Sequence, residues 1–135
     1  MTKPTLDHIG IAVKSLASAV RLYEETIGLK VSGYETVEDQ GVNLAMIPLG
    51  DSRLELLEPL HADSPIGKFM AKRGEGIHHI AMAVDNIEEA LARFKAAGAR
   101  LIDAVPRIGA HNTRVAFIHP SSTHGVLLEL VEHVK

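Results

Sequence analysis

The sequence predicts an α+β fold of paired βαβββ modules with pseudo-two-fold symmetry, and three observations carry that prediction. First, LDHIGIAVKSLASAVRLYEETIGL at residues 6–29 has the same form as GIHHIAMAVDNIEEALARFKAAGARL at residues 76–101, so that His8 falls on His79, 71 positions on. Second, LELLE at residues 54–58 falls on LELVE at residues 128–132, an offset of 74 that matches Glu55 with Glu129. Third, each half reads in the same order: strand, helix, strand, strand, strand.

The first strand is LDHIGIAV, where period-two alternation puts Leu6, His8, Gly10 and Ala12 on one face and Asp7, Ile9, Ile11 and Val13 on the other. One face is large and apolar, suited to packing under a helix. The other is left roomy around a single imidazole, which hydrophobic packing alone does not require. After Ser15, Leu16, Ala19, Val20, Tyr23 and Ile27 follow helical spacing, and Gly28 ends the helix. Three strand regions follow: LKVSGYETV, VNLAMIPLG and SRLELLEP. Ser64 followed by Pro65 starts a short connecting helix over 64–73, before Gly74 and Gly76.

The second module repeats the arrangement. In IHHIAMAV, His79, Ala81 and Ala83 share one face, while His78 is sent away from it, to the helix side or the surface. Asn86 caps the next helix, with Glu89 three residues on as a capping box. Ile87, Ala90, Leu91 and Phe94 form its buried stripe, and Gly98 stops it. The strand regions are ARLIDAVPRI, TRVAFIHP and GVLLELVEH. The whole chain, 1–135, is therefore expected to be one domain, with module one at about 5–60 and module two at about 76–133.

With 46% hydrophobic and 23% charged residues and a net charge of −3, the composition is that of a folded soluble domain, and a nucleic-acid partner is not indicated. There is no cysteine, so any metal must sit on nitrogen and oxygen ligands. The start, MTKPTLDH, has no apolar signal core, and no long apolar run spans a bilayer, so the expected address is cytoplasmic.

A lone histidine at a strand start is more often a satisfied polar residue than a ligand. Two histidines and two glutamates at matched places in matched modules need a common explanation, because a carboxylate among leucines is costly to bury unless paired or metal-bound. If the two sheets face each other, His8, Glu55, His79 and Glu129 converge as an N₂O₂ set for one divalent ion: cobalt, manganese, nickel, zinc or iron. Glu58 and Glu132 fall on the leucine-rich faces near strand ends and are expected to be solvated. Arg107, His111 and Arg114 surround a glycine in PRIGAHNTR, either lining a mouth for an anionic substrate or forming a basic solvated hairpin. The remaining histidines, His61, His119, His124 and His133, have no repeat partner and are not recruited.

These residues resemble the vicinal oxygen chelate superfamily, with its glyoxalase/bleomycin-resistance/dioxygenase-like fold of paired modules whose sheets enclose a metal site. Within it, LDHIGIAV, DQGVNLAMIPLG, LELLEPL with DSPIGKFMAKRG, GIHHIAMAVDNI, RIGAH and HPSSTHGVLLEL resemble, in order, segments of the methylmalonyl-CoA epimerases. The resemblance implies epimerisation of an acyl-CoA thioester, and a homodimer. It carries the metal site to His8, His79 and Glu129, with Glu55 where members have glutamine or glutamate. One departure matters: the proton-transferring acid of some members would lie in Val42–Met46, which holds none here. Glu129 and Glu55 are therefore the expected acid–base pair. A glyoxalase-I-like lactoylglutathione lyase has the same ligand set, an extradiol dioxygenase would use only three of the four, and non-catalytic binders share the modules.

Overall fold

In strand β1, Thr5–Ala12, His8, Gly10 and Ala12 are buried on one face, while Ile11 on the other packs into the apolar cluster beneath the first helix. The computed structural model describes residues 3–134, which group into two units. One is His8–His78; the other joins the segment ending at Asp7 to the segment beginning at His79.

In the His8–His78 unit, helix α1, Leu16–Arg21, starts where the Ser15 hydroxyl accepts a hydrogen bond from the Ser18 N–H at 3.2 Å. It runs on as a π-helical segment, Leu22–Ile27, and ends at Gly28, whose φ of 87° is left-handed. The wider π turns change the angular step between residues. Leu16, Ala19, Val20 and Tyr23 keep the predicted stripe against the sheet, but Ile27 rotates off it and is 57% exposed. Strands β2, Gly33–Val37, β3, Val42–Leu49, and β4, Ser52–Pro59, complete the unit in the order β2-β3-β4-β1. β4 is antiparallel to β3 and parallel to β1, the parallel pairing that a helical crossover requires. Helix α2, Pro65–Arg73, begins where the Ser64 hydroxyl accepts from the Gly67 N–H at 3.1 Å, with proline at the first turn.

In the other unit, strand β5, Gly76–Ala83, leads to helix α3, Ile87–Ala96, capped by the Asn86 side chain, which accepts from the Glu89 N–H at 2.9 Å. Strands β6, Arg107–Gly109, β7, Thr113–Ile118, and β8, Leu128–His133, follow, and the order is β5-β8-β7-β6. The core is Ile87 and Leu91 of α3 against Ala116, Ile118, Leu128 and Leu130. The strand expected over ARLIDAVPRI is much shorter than predicted: Leu101 makes one bridge to Ile118, and only Arg107–Gly109 form a strand. The reason is local chemistry. The Asp103 carboxylate accepts from the Phe117 N–H at 2.9 Å, taking a bond that a neighbouring strand would make, and Pro106 has no N–H to offer.

Glu58 and Glu132 correct a second expectation, because neither is simply solvated. The Glu58 carboxylate accepts from the Leu16 N–H at 2.8 Å, and the Glu132 carboxylate accepts from the Ile87 N–H at 2.9 Å, each at the first residue of its module's helix. A helix N-terminus exposes unpaired N–H groups at the positive end of its dipole, so an anion placed there is stabilising. Arg114 extends the second of these contacts by donating to Glu132 at 3.4 Å and to Glu88 in the first turn of α3. Its hydrogen bond holds the Glu88 carboxyl below its ordinary value. Among the described residues, no helix is long and apolar enough to cross a membrane.

Two outcomes are expected. Replacing Glu58 or Glu132 by alanine removes a charged partner from a helix N-terminus and lowers unfolding free energy by about 1 kcal/mol, read by urea denaturation. Because Glu88 is depressed in the folded state, its stabilising contribution is present above the ordinary carboxylate range and lost as pH falls through its lowered value. The stability gap between the parent and Glu88→Gln should therefore be present at neutral pH, shrink in acid and shrink in high salt. A gap that grows in acid would contradict this.

Candidate metal site

Each module carries one buried imidazole beside one buried carboxylate. In the His8–His78 unit, parallel pairing sets Gly10 opposite Glu55 and His8 opposite Arg53. A glycine at that register leaves space beside the carboxylate. His8 is 4% exposed and Glu55 5%, and His8 Nε2 lies 3.4 Å from Glu55 Oε1. The other carboxylate oxygen is engaged separately: Arg53 Nε and Nη2 both donate to Glu55 Oε2, at 3.0 and 2.8 Å. Arg53 Nη2 also lies 3.4 Å from His8 Nδ1.

In the second unit, β5 and β8 set Ala81 opposite Glu129, another small residue beside the carboxylate. His79 Nε2 lies 3.0 Å from Glu129 Oε1, with exposures of 6% and 5%. Phe117, opposite Glu129 across β7 and β8, presents its ring edge-on to His79, with centroids 5.7 Å apart. The Arg107 guanidinium carbon lies 5.8 Å from the same Phe117 ring, and Arg107 Nε is 3.0 Å from Asp103 Oδ1. Phe117 belongs to the surroundings of His79, and nothing in the sequence singled it out. Arg53 was visible only as a residue sharing a face with Glu55.

The pairing is chemically specific. A carboxylate taken out of water is costly unless paired, and both modules meet that cost with an imidazole nitrogen, the atom type that also ligates divalent metals. Of the predicted residues, the structure thus joins His8 to Glu55 and His79 to Glu129 within their own units. The predicted basic trio is dispersed in its contacts. Arg107 faces Asp103 and Phe117, Arg114 faces Glu88 and Glu132, and His111 sits in the turn between β6 and β7 with a left-handed φ of 55°. His78 is on the helix side as predicted, its ring edge-on to Phe69 of α2 at 4.9 Å. His133 is not idle: its Nε2 lies 2.5 Å from Oδ1 of buried Asp7. His119 caps its own turn, its Nδ1 accepting from the Ser121 N–H at 3.0 Å.

Residues 7–117 match the Glyoxalase/Bleomycin resistance protein/Dioxygenase superfamily. An uncharacterized protein of Bacillus subtilis (strain 168) is 48% identical over 94% of this chain and 91% of its own. An ethylmalonyl-CoA/methylmalonyl-CoA epimerase of Cereibacter sphaeroides is 42% identical over 93% of this chain and 95% of its own. A Streptomyces coelicolor methylmalonyl-CoA epimerase variant in complex with 2-nitronate-propionyl-CoA superposes with a TM-score of 0.91 at 41% identity, covering 96% of this chain and 94% of that one. These likenesses run almost end to end and agree with the duplicated β-α-β-β-β order, so the chain belongs to the methylmalonyl-CoA epimerase family within that superfamily.

Proposed function

We propose that the chain interconverts the (2R) and (2S) forms of methylmalonyl-CoA, using one divalent ion held by His8, Glu55, His79 and Glu129. The observation that carries this reading is the duplicated pair, an imidazole Nε2 facing a carboxylate Oε1 at 3.4 Å in one unit and 3.0 Å in the other. The residues fit such an ion. His8, His79 and Glu129 form a buried group in which each offers one ligand atom, and this reading adds Glu55, buried beside His8, as the fourth ligand; two nitrogens with two carboxylates would suit cobalt, manganese, nickel, zinc or iron. The substrate class rests on the names borne by the Cereibacter and Streptomyces relatives.

The chemistry asked of the chain is removal of the proton between a thioester carbonyl and a carboxylate, and its return to the opposite face. When bound, the ion would supply Lewis-acid polarisation of the thioester carbonyl. The chain's own part is acid–base work on two faces of a planar carbon. Glu129 and Glu55, one from each module, take those roles, each switching between ligand and base, since strand residues Val42–Met46 contain no acid. In Glu55 the oxygen that switches is Oε1, because Arg53 holds Oε2. Arg107, with 47% of its side chain exposed beside Phe117, adds positive charge for the anionic substrate. His111 lies in the adjoining turn, whereas Arg114 is committed to Glu88 and Glu132 on the helix side of its strand and is left out of this role.

Incubating cobalt-loaded protein with (2R)-methylmalonyl-CoA in deuterated water should exchange the α-proton and equilibrate the stereocentre. Chelation should abolish this, and cobalt should restore it. Loss of the α-proton chemistry in Glu129→Gln should lower kcat by ~100-fold or more. Glu55→Gln should retain exchange in one substrate direction and lose it in the other. If Glu55→Gln matches the parent in both directions, Glu55 is a ligand alone. Absence of exchange in protein that consumes the methylglyoxal–glutathione adduct would replace this reading with a lyase.

A further inference from the structure

The two modules treat their buried glutamates differently, and the difference is Arg53. We infer that Arg53 is a positioning residue: its fork sequesters one oxygen of Glu55 and thereby aims the other at the ion. The inference rests on the metal reading above and concerns how one ligand is presented. Two donors of the same guanidinium, Nε and Nη2, converge on Oε2 at 3.0 and 2.8 Å, while Oε1 is the oxygen turned to His8 Nε2 at 3.4 Å. A carboxylate gripped this way is limited in rotation about its terminal bond, so its two oxygens are no longer interchangeable. Oε1 faces the imidazole; Oε2 faces the guanidinium.

Three features set Arg53 apart from a surface arginine that happens to meet an acid. Its side chain is only 21% exposed against 7% for Glu55, so the pair is shielded from solvent competition. Its Nη2 is also 3.4 Å from His8 Nδ1, so one guanidinium borders both proposed ligands of its module. And the duplicated module lacks it: the offset of 74 that carries Glu55 to Glu129 carries Arg53 to Leu127, which has no donor. A residue needed only for folding the strand would be expected in both copies. Outer partners of metal ligands fix ligand orientation, and their loss typically weakens metal binding by ~10- to 100-fold.

The test uses the full chain, stripped of metal and titrated calorimetrically with Co²⁺. Arg53→Leu copies the residue that the second module carries at this register. Arg53→Lys keeps the charge but not the fork. The expected result is Co²⁺ affinity at least ~10-fold weaker for Arg53→Leu, with partial recovery in Arg53→Lys. In metal-saturated protein, the loss should persist in kcat rather than in KM for methylmalonyl-CoA. Parent-like affinity in Arg53→Leu would overturn the inference while leaving the metal reading intact. A parent chain that binds no Co²⁺ would instead remove the metal reading and this inference with it. Should Arg53→Leu fail to fold, parent-like affinity in Arg53→Lys would count against the fork.

Discussion

The structure depends on one costly placement made twice: a carboxylate and an imidazole buried side by side in the middle of a sheet. A buried charge left without its partner typically costs ~3–5 kcal/mol, which is large against the net stability of a small domain. Each module therefore has to bring its first and last strands together. The parallel pairings of β1 with β4 and β5 with β8 do so, setting Gly10 against Glu55 and Ala81 against Glu129. Larger residues at those two positions would crowd the carboxylates from the neighbouring strand. Parallel pairing in turn demands a crossover, which is where the helix of each module sits.

A single short motif serves both faces of that arrangement. In LELLE and LELVE the two glutamates are three residues apart, so strand alternation sends them to opposite sides. Glu55 and Glu129 face an imidazole. Glu58 and Glu132 face the helix and take its first N–H groups, at 2.8 and 2.9 Å. The strand that presents a buried carboxylate on one side thereby fastens the crossover helix on the other. Apolar residues between them fill the core: Leu56 in one unit and Leu130 in the other are almost completely buried.

Within this repeat the two copies have diverged where chemistry can differ. Beside Glu55, the register offers Met46 and the arginine fork of Arg53; beside Glu129 it offers Phe117, with Arg107 stacked beyond it. One carboxylate is held by charge, while the histidine facing the other is held by an aromatic edge. Duplication supplies two similar frames, and these neighbours make the two carboxylates distinct.

The sequence by itself determined the module order, the helix caps at Ser15, Ser64 and Asn86, and the matched places of His8 with His79 and of Glu55 with Glu129. It could do so because a repeat makes a pattern readable twice, and because strand parity is a local property. The contact of each imidazole with the carboxylate of its own module came from the strand pairings. The residues that surround those pairs were decided only in the tertiary structure. Arg53 could be placed on the Glu55 face but not bonded to one particular oxygen, since parity gives direction and not distance. Phe117 reaches His79 through strand pairings that bring together residues nearly forty positions apart. Glu58 and Glu132 read as solvated because each of their partners is a backbone N–H more than forty residues away, and a backbone donor leaves no mark on the residue that carries it. The shortened strand before β7 has the same origin: Asp103 had to fold back onto the Phe117 N–H before its effect on pairing could be seen.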